Sequence, residues 1–376
     1  MKPLRIALIG QRGVPATFGG IEHHVEEIGS RLAMRGHDVT VYTRTNYTDE
    51  RHDRYRGMRP RYLPTANSKH LDAIVHSALS TLDAIVRRAD IVHYHAVGPA
   101  MLAVVPRFLS RAKVVVTVHG LDADRAKWGG SARKVLRFAQ WLSARVPDVT
   151  IVVSRDLETY YRDRHRRRTV YIPNGVNEPT LRPPHEITDR FGLRGDDYVL
   201  FVGRMVPEKA PDVLIRAFRS LETDRRLVLA GGSSYTDDFL RSLEALAASD
   251  RRVLMPGYVY GRALEELYAN ATAFVLPSSL EGLPLTLLEA ASYGIPLVVS
   301  DIPPHLEVVG DDGPGHRTFR SGDERSLAEA LRQVLTDPRS ERRDAKTLRD
   351  VILSSYAWDK AVDGTEEVYE SFGTVR

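Results

Sequence analysis

The chain has 376 residues, more than one ordinary core serves, so two domains are the starting expectation. A hydrophobic fraction of 43% with 8% aromatic residues fits a soluble globular protein, and no apolar run reaches the ~20 residues that span a bilayer. The absence of cysteine excludes a disulfide framework and thiolate metal sites, and a net charge of +4 without a nucleic-acid reading motif argues against nucleic acid as a partner.

The opening, Met-Lys-Pro-Leu-Arg, lacks the apolar region and cleavage site of a secretory signal, so a cytoplasmic location is expected. Leu4–Gly10 reads as a buried strand. The following Gly10-Gln-Arg-Gly13 lacks the spaced third glycine of a dinucleotide fingerprint, which argues against NAD. Gly19-Gly20 opens a helix marked by Ile21, Val25, Ile28 and Leu32 and ended by Gly36. Glycine there would let the backbone approach a diphosphate and donate N–H groups to it. His23 and His24 are weak metal-ligand candidates, because their sequence neighbours supply no cysteine and no matching third ligand.

Asp38–Arg44 is the next strand, followed by an amphipathic helix over Leu71–Arg88 and a strand over Ile91–Ala96. In that strand His93 and His95 flank Tyr94 on one face and receive no functional role. Val114–Val118 ends in His119-Gly120, a strand end where a histidine suits a site. Asp122-Ala-Asp124 spells a DxD, but three letters recur by chance and no metal is expected from them. Arg133, Lys134 and Arg137 share a helix with Val135, Leu136, Trp141 and Leu142, and Arg162, Arg164, Arg166, Arg167 and Arg168 form a dense run. Each alone reads as a solvated face. Together they allow peripheral contact with an anionic membrane, at about 1 kcal/mol per basic residue near the surface.

Val149–Val153 ends at Ser154, and Val170–Ile172 runs into Pro173-Asn174-Gly175. Around Glu178–Asp189 the prolines Pro179, Pro183 and Pro184 fall in a polar stretch that reads as a linker. The pattern then restarts. Strands over Tyr198–Val202, Leu227–Ala230, Val253–Met255, Ala273–Leu276 and Leu297–Val299 alternate with helices such as Val213–Leu221. Trp358–Phe372 has helical periodicity. The expected architecture is α/β, two tandem doubly wound Rossmann-like domains facing a cleft. Their bounds are 1–180 and 190–357, with the helix at 358–376 packing back on the first. In such sheets ligands sit outside the carboxyl ends of the strands.

The densest chemical signal is Glu281-Gly-Leu-Pro-Leu-Thr-Leu-Leu-Glu289. Pro284 suits a first helical position. The N–H groups around Gly282, Leu283 and Leu285 would then leave the helix start, an anion site carrying roughly +0.5 of a charge. Arg204 and Lys209, after the Tyr198–Val202 strand, are cations for the same anion. Their value grows as a leaving diphosphate gathers charge. Glu289, flanked by Leu287, Leu288, Ala290 and Ala291, needs partners that ribose hydroxyls would supply. Glu281 could take hydroxyls of a transferred sugar.

These residues resemble a known family. Val-Gly-Arg204-Met-Val-Pro-Glu-Lys209, Pro173-Asn-Gly-Val and Glu281-Gly-Leu-Pro-Leu-Thr-Leu-Leu-Glu289-Ala look like the family 4 retaining glycosyltransferases of GT-B fold, and Gly19-Gly20-Ile-Glu-His-His-Val matches their N-terminal glycine loop. The opening through Phe18-Gly19-Gly20-Ile-Glu is similar to bacterial rhamnosyltransferase-like enzymes of polysaccharide assembly. The resemblance implies that Arg204 and Lys209 hold the donor diphosphate with the Gly20 backbone opposite, that Glu289 binds ribose, and that Glu281 binds the donor sugar. It implies that Gly257, Tyr258 and Val259 cover the base, with Gly282 and Leu283 at the phosphates. It places His119 beside the sugar, with Asp122 and Asn174 on the acceptor side. It further implies transfer with retained configuration and usually without metal, through an oxocarbenium-like pair in which the leaving phosphate takes the acceptor proton. Ala210 departs from the glycine often found after the lysine, and Asp301-Ile-Pro-Pro-His305 lacks the paired glycines of many relatives.

The expected function is therefore transfer of a sugar from a nucleoside diphosphate to a hydroxyl of a glycan, glycolipid or small molecule, with no resident cofactor. A nucleotide-sugar epimerase of the same fold and a non-catalytic nucleotide- or glycan-binding protein are the rivals.

Overall fold

The computed structural model describes residues 2–17, 19–66, 72–121, 130–232 and 237–373. The chain divides into two compact units: Met1–Gly175 with Trp358–Arg376, and Val176–Ala357.

The first unit is built on seven strands: β1 (Arg5–Ile9), β2 (Asp38–Arg44), β3 (Arg59–Leu63), β4 (Ile91–His95), β5 (Lys113–Val118), β6 (Val149–Val152) and β7 (Val170–Tyr171). They form one parallel sheet in the order β3-β2-β1-β4-β5-β6-β7. The second unit repeats the plan with six: β8 (Tyr198–Val202), β9 (Arg226–Ala230), β10 (Val253–Gly257), β11 (Ala273–Leu276), β12 (Leu297–Ser300) and β13 (His316–Phe319). Their order is β10-β9-β8-β11-β12-β13, again parallel. In each sheet the first strand sits beside the fourth, so the winding direction reverses there. That reversal opens the crevice in which doubly wound sheets place ligands. In unit 1 it lies at the ends of β1 and β4, in unit 2 at the ends of β8 and β11.

The central strands are buried and mostly apolar because helices cover both faces. Leu8, Ile9, Val92, Val116, Leu200, Phe274 and Val298 are fully buried. The two strands absent from the sequence reading, β3 and β13, lie at sheet edges, where half the strand meets solvent and no continuous apolar run is required. β3 carries Pro60, which an edge tolerates and a central strand does not. The segment expected as a linker ends in a six-residue helix, Glu186–Phe191. Its start is held by Glu266, whose Oε2 accepts the N–H groups of His185 (2.9 Å) and Ile187 (3.2 Å). One buried residue, Ile187, gives the helix too little apolar period to be read.

The helix Trp358–Glu370 packs against the helix Gly20–Met34. Arg35 bridges to Asp363 and Glu366 at 2.6 Å each, and Trp358 and Tyr369 are buried. Gly175 permits the approach. A Cβ there would lie 2.5 Å from the Trp358 Cα and 2.6 Å from its N. Backbone cannot swing aside as a side chain can, so Gly175→Ala is predicted to lower stability by about 1–3 kcal/mol, the range for overpacking. An unchanged thermal midpoint would refute this.

Candidate functional site

Unit 2 gathers its charged candidates at the reversal. After β8 the chain makes one turn of 3-10 helix, Pro207–Lys209, passes Ala210 and starts the helix Pro211–Arg219. Ala210 is left-handed (φ 49°, ψ 41°), a conformation in which glycine costs less. That accounts for the glycine the resemblance leads one to expect there. After β11, the segment from Pro277 leads into the helix Leu285–Ser292. Pro284 is the residue before that helix (φ −75°, ψ 115°), not its first helical residue. Its ψ is extended, and its carbonyl accepts the N–H groups of Leu287 (3.2 Å) and Leu288 (3.3 Å).

The two loops meet at Lys209 and Glu281, whose Nζ and Oε1 form a close ion pair. Both side chains are largely shielded, 14% and 9% exposed. Burial pushes the Glu281 carboxyl up, but the Lys209 ammonium outweighs it and holds the group below the usual carboxylate range. The Arg204 guanidinium is 3.9 Å from the buried Glu208 carboxylate. The Glu208 carbonyl accepts the Ser279 N–H at 2.9 Å, stitching one loop to the other.

Beneath the pair runs a polar network that the sequence reading missed. Ser300 Oγ donates to the Ser278 carbonyl, and His305 Nδ1 lies 3.0 Å from Ser300 Oγ and 3.1 Å from the Ser300 carbonyl. Burial lowers His305 to about 4; Glu281 opposes the shift and Lys209 adds to it. The only signal in sequence was position, since Ser300 ends a strand as the other candidates do.

Glu289 is half-buried, and its Oε2 accepts the Tyr268 hydroxyl at 3.1 Å. Burial, then the Glu289 charge, pushes that hydroxyl well above its ordinary value. Past β10, Tyr258 and Tyr260 are exposed and stack at 5.8 Å with 10° between their planes. Val259 between them is buried. Gly257 has φ +75°, and a Cβ on Gly232 would lie 2.5 Å from the Tyr258 ring. Gly282 and Leu283 are buried just ahead of the Leu285–Ser292 helix.

Unit 1 gathers histidines at its own reversal. Gly19 precedes the first helix with φ +103°, and Gly20 is its first residue. One turn on, His24 is buried, with Nδ1 2.9 Å from Asn174 Oδ1. His119 follows β5. Its ring centroid is 4.6 Å from that of His24, and its Nε2 is 3.2 Å from His95 Nδ1. Asn174 and His119 thus join one cluster, together with His24 and His95. The sequence had shown no third ligand-type neighbour for His24; β4 and β5 bring two. His93 is held by Tyr369 Oη at 2.6 Å and Thr117 Oγ1 at 2.7 Å. Burial lowers His24 to about 4 and His93 to about 3. Asp122 and Asp124 lie outside the described residues.

Comparison with known proteins agrees with this plan. Residues 186–349 match the family described as Glycosyl transferases group 1, and residues 18–178 match Glycosyltransferase Family 4. The glycogen synthase of Mycobacterium tuberculosis is 28% identical over 97% of this chain and 94% of that protein. Among solved structures, the sucrose-phosphate synthase of Thermosynechococcus elongatus superposes with a TM-score of 0.87 at 22% identity, covering 99% of each chain. HepE of Anabaena, in complex with UDP-glucose, does so at 0.80 and 18% identity, over 98% of this chain and 100% of that one. The fold is GT-B, and the chain is a glycosyltransferase of the family 4 type.

Two predictions come from unit 2. Lys209→Ala leaves Glu281 buried without its counter-ion, a change that costs about 3–5 kcal/mol. The double variant Lys209→Met with Glu281→Gln is expected to regain part of that loss. Denaturant midpoints in which the single variant equals wild type would overturn the pair's structural weight. For pH, His305 is lowered in the fold and must charge on unfolding. Its contribution is therefore full above about pH 6.5 and is lost as pH falls towards 4, by about 3 kcal/mol at most. The stability difference between pH 7.5 and 5 should be smaller in His305→Gln than in wild type; an equal difference would contradict the assignment.

Proposed function

We propose that this glycosyltransferase moves a sugar from a nucleoside diphosphate to a hydroxyl of a glycan, glycolipid or small molecule, with retention of configuration. The observation that carries the reading is the shielded Lys209–Glu281 pair at the reversal of the unit 2 sheet, ahead of the Leu285–Ser292 helix. The ammonium already has one carboxylate. A donor phosphate adds a second anion to it, and the positive end of the helix supplies further potential. Arg204 adds a planar fork for phosphate oxygens. With three sources of positive charge the diphosphate needs no metal and no resident cofactor. Glu281 takes the donor sugar, Glu289 with Tyr268 the ribose, and the Tyr258–Tyr260 stack offers a face to the base. His119, Asp122 and Asn174 serve the acceptor side.

A nucleotide sugar as donor is supported by HepE, whose structure holds UDP-glucose. Assignment to polysaccharide assembly of the rhamnosyltransferase-like kind rests on the N-terminal glycine loop. A cytoplasmic site of action follows from the same reading.

Glu281→Gln and Lys209→Met keep the side-chain volume while removing one charge each. Each is expected to lower turnover by about 100-fold or more, the scale for losing one preorganised electrostatic contact. Near-normal rates in both, with any nucleoside-diphosphate sugar that wild type uses, would end the proposal.

Peripheral membrane contact belongs to this reading because of one surface of unit 1. The helices Asp72–Val86, Val104–Leu109 and Gly130–Arg145 all touch the turn Pro99–Ala103. Among the described residues, most of the large apolar side chains left exposed sit on these three helices. Val86, Phe108 and Leu109 are 79%, 76% and 74% exposed, and Phe138 stacks on Trp141 at 5.8 Å. Lys134 and Arg137 are exposed on the last helix. The Arg162–Arg168 run contributes less than its length suggests, since Arg167 is spent on the carbonyls of Pro147 and Asp148, each at 3.0 Å. Apolar side chains edged by cations suit an anionic bilayer surface. Vesicles rich in anionic lipid should retain the protein at low salt and release it at high salt, and Phe138→Ser with Trp141→Ser should weaken retention. Equal retention by neutral vesicles would exclude the contact.

A further inference from the structure

We infer that His24, His95 and His119 form a binding site for one first-row divalent metal ion of the zinc class. One ring nitrogen from each lies within 4.8 Å of the other two. His95 Nδ1 and His119 Nε2 are 3.2 Å apart. That is close to the edge, about 3.3 Å, of a tetrahedron whose metal–nitrogen bonds are about 2.0–2.1 Å. A His24 ring nitrogen lies within 4.8 Å of the other two and has that gap to close on binding. The three residues come from three elements: the helix Gly20–Met34, the end of β4 and the residue after β5. Strand register sets the last two side by side, and helix packing delivers the first.

Orientation favours a ligand role. Asn174 Oδ1 can only accept, so His24 Nδ1–H donates to it at 2.9 Å and the other ring nitrogen keeps its lone pair. An outer hydrogen bond of this kind orients metal-ligating histidines. His93 differs: both its nitrogens are taken by Tyr369 and Thr117, so it supports His95 from 4.3 Å without being a ligand.

Three imidazoles with a fourth position left for water or another small ligand make an open site. The ion would take up a His119 nitrogen, so metal and acceptor-side use of that nitrogen exclude each other. The site itself does not depend on the donor reading of unit 2.

The test uses the full chain without an affinity tag, stripped with chelator and titrated with Zn²⁺ or Co²⁺. One ion per chain is expected, with the visible absorption of tetrahedral cobalt. His24→Ala and His95→Ala should each weaken binding by about 100-fold or more. Asn174→Ala, a positioning change, should weaken it by about 10–100-fold. His23→Ala, next in sequence but outside the cluster, should bind as wild type. Absence of the cobalt spectrum in folded wild type, or undiminished binding in both alanine variants, would overturn the site. Should the alanine variants fail to fold, X-ray absorption on zinc-loaded wild type decides. Three imidazole nitrogens at about 2.0–2.1 Å would support the site, and fewer than three would refute it.

Discussion

The site proposed in unit 2 depends on one shielded ion pair. Lys209 and Glu281 are brought together by two strands that are neighbours in the sheet but far apart in the chain, β8 and β11. Taking two charges out of water is expensive, and the pair repays it only with support around it. That support is present. Glu208 and Ser279 tie the two loops together, and Ser278, Ser300 and His305 form a hydrogen-bonded floor. The pair is thus held in place by its neighbours, as the proposed stabilisation of a leaving diphosphate requires.

Unit 1 places a different chemistry at the equivalent position of the same topology. Its reversal holds neutral imidazoles instead of charged side chains. Asn174 and Gly175 show how one short motif serves two ends. The asparagine orients His24, and the glycine lets the Trp358–Glu370 helix lie against the chain. The C-terminal helix in turn supplies Tyr369 to His93, the residue that backs His95. The histidine cluster therefore depends on the last helix of the chain as much as on its strands.

Much of the fold was legible because buried parallel strands leave continuous apolar runs ended by glycine, proline or serine. β2, β8 and β11 have the bounds read from sequence. Reading failed where burial is one-sided: at the edge strands β3 and β13, and at the short helix Glu186–Phe191, which is held by Glu266 rather than by an apolar face. Site residues divide in the same way. Lys209, Glu281 and Glu289 announced themselves by charge near a helix start or between leucines. Ser278 and His305 gave no such sign, since their roles come from partners more than 20 residues away or from burial that spacing alone does not reveal.

The sequence by itself determined the class of architecture, the strands that end in candidate residues, and the charged groups suited to a diphosphate. These depend on local period and residue type, which the chain carries at every position. Only the tertiary structure decided which of those groups meet. It paired Lys209 with Glu281 while leaving Arg204 beside Glu208, and it joined His24 to His95 and His119, which no sequence neighbour of His24 indicated. The physical reason is strand order. Which strands lie side by side is settled by the packing of helices and sheet as a whole, and side chains at strand ends inherit their partners from it.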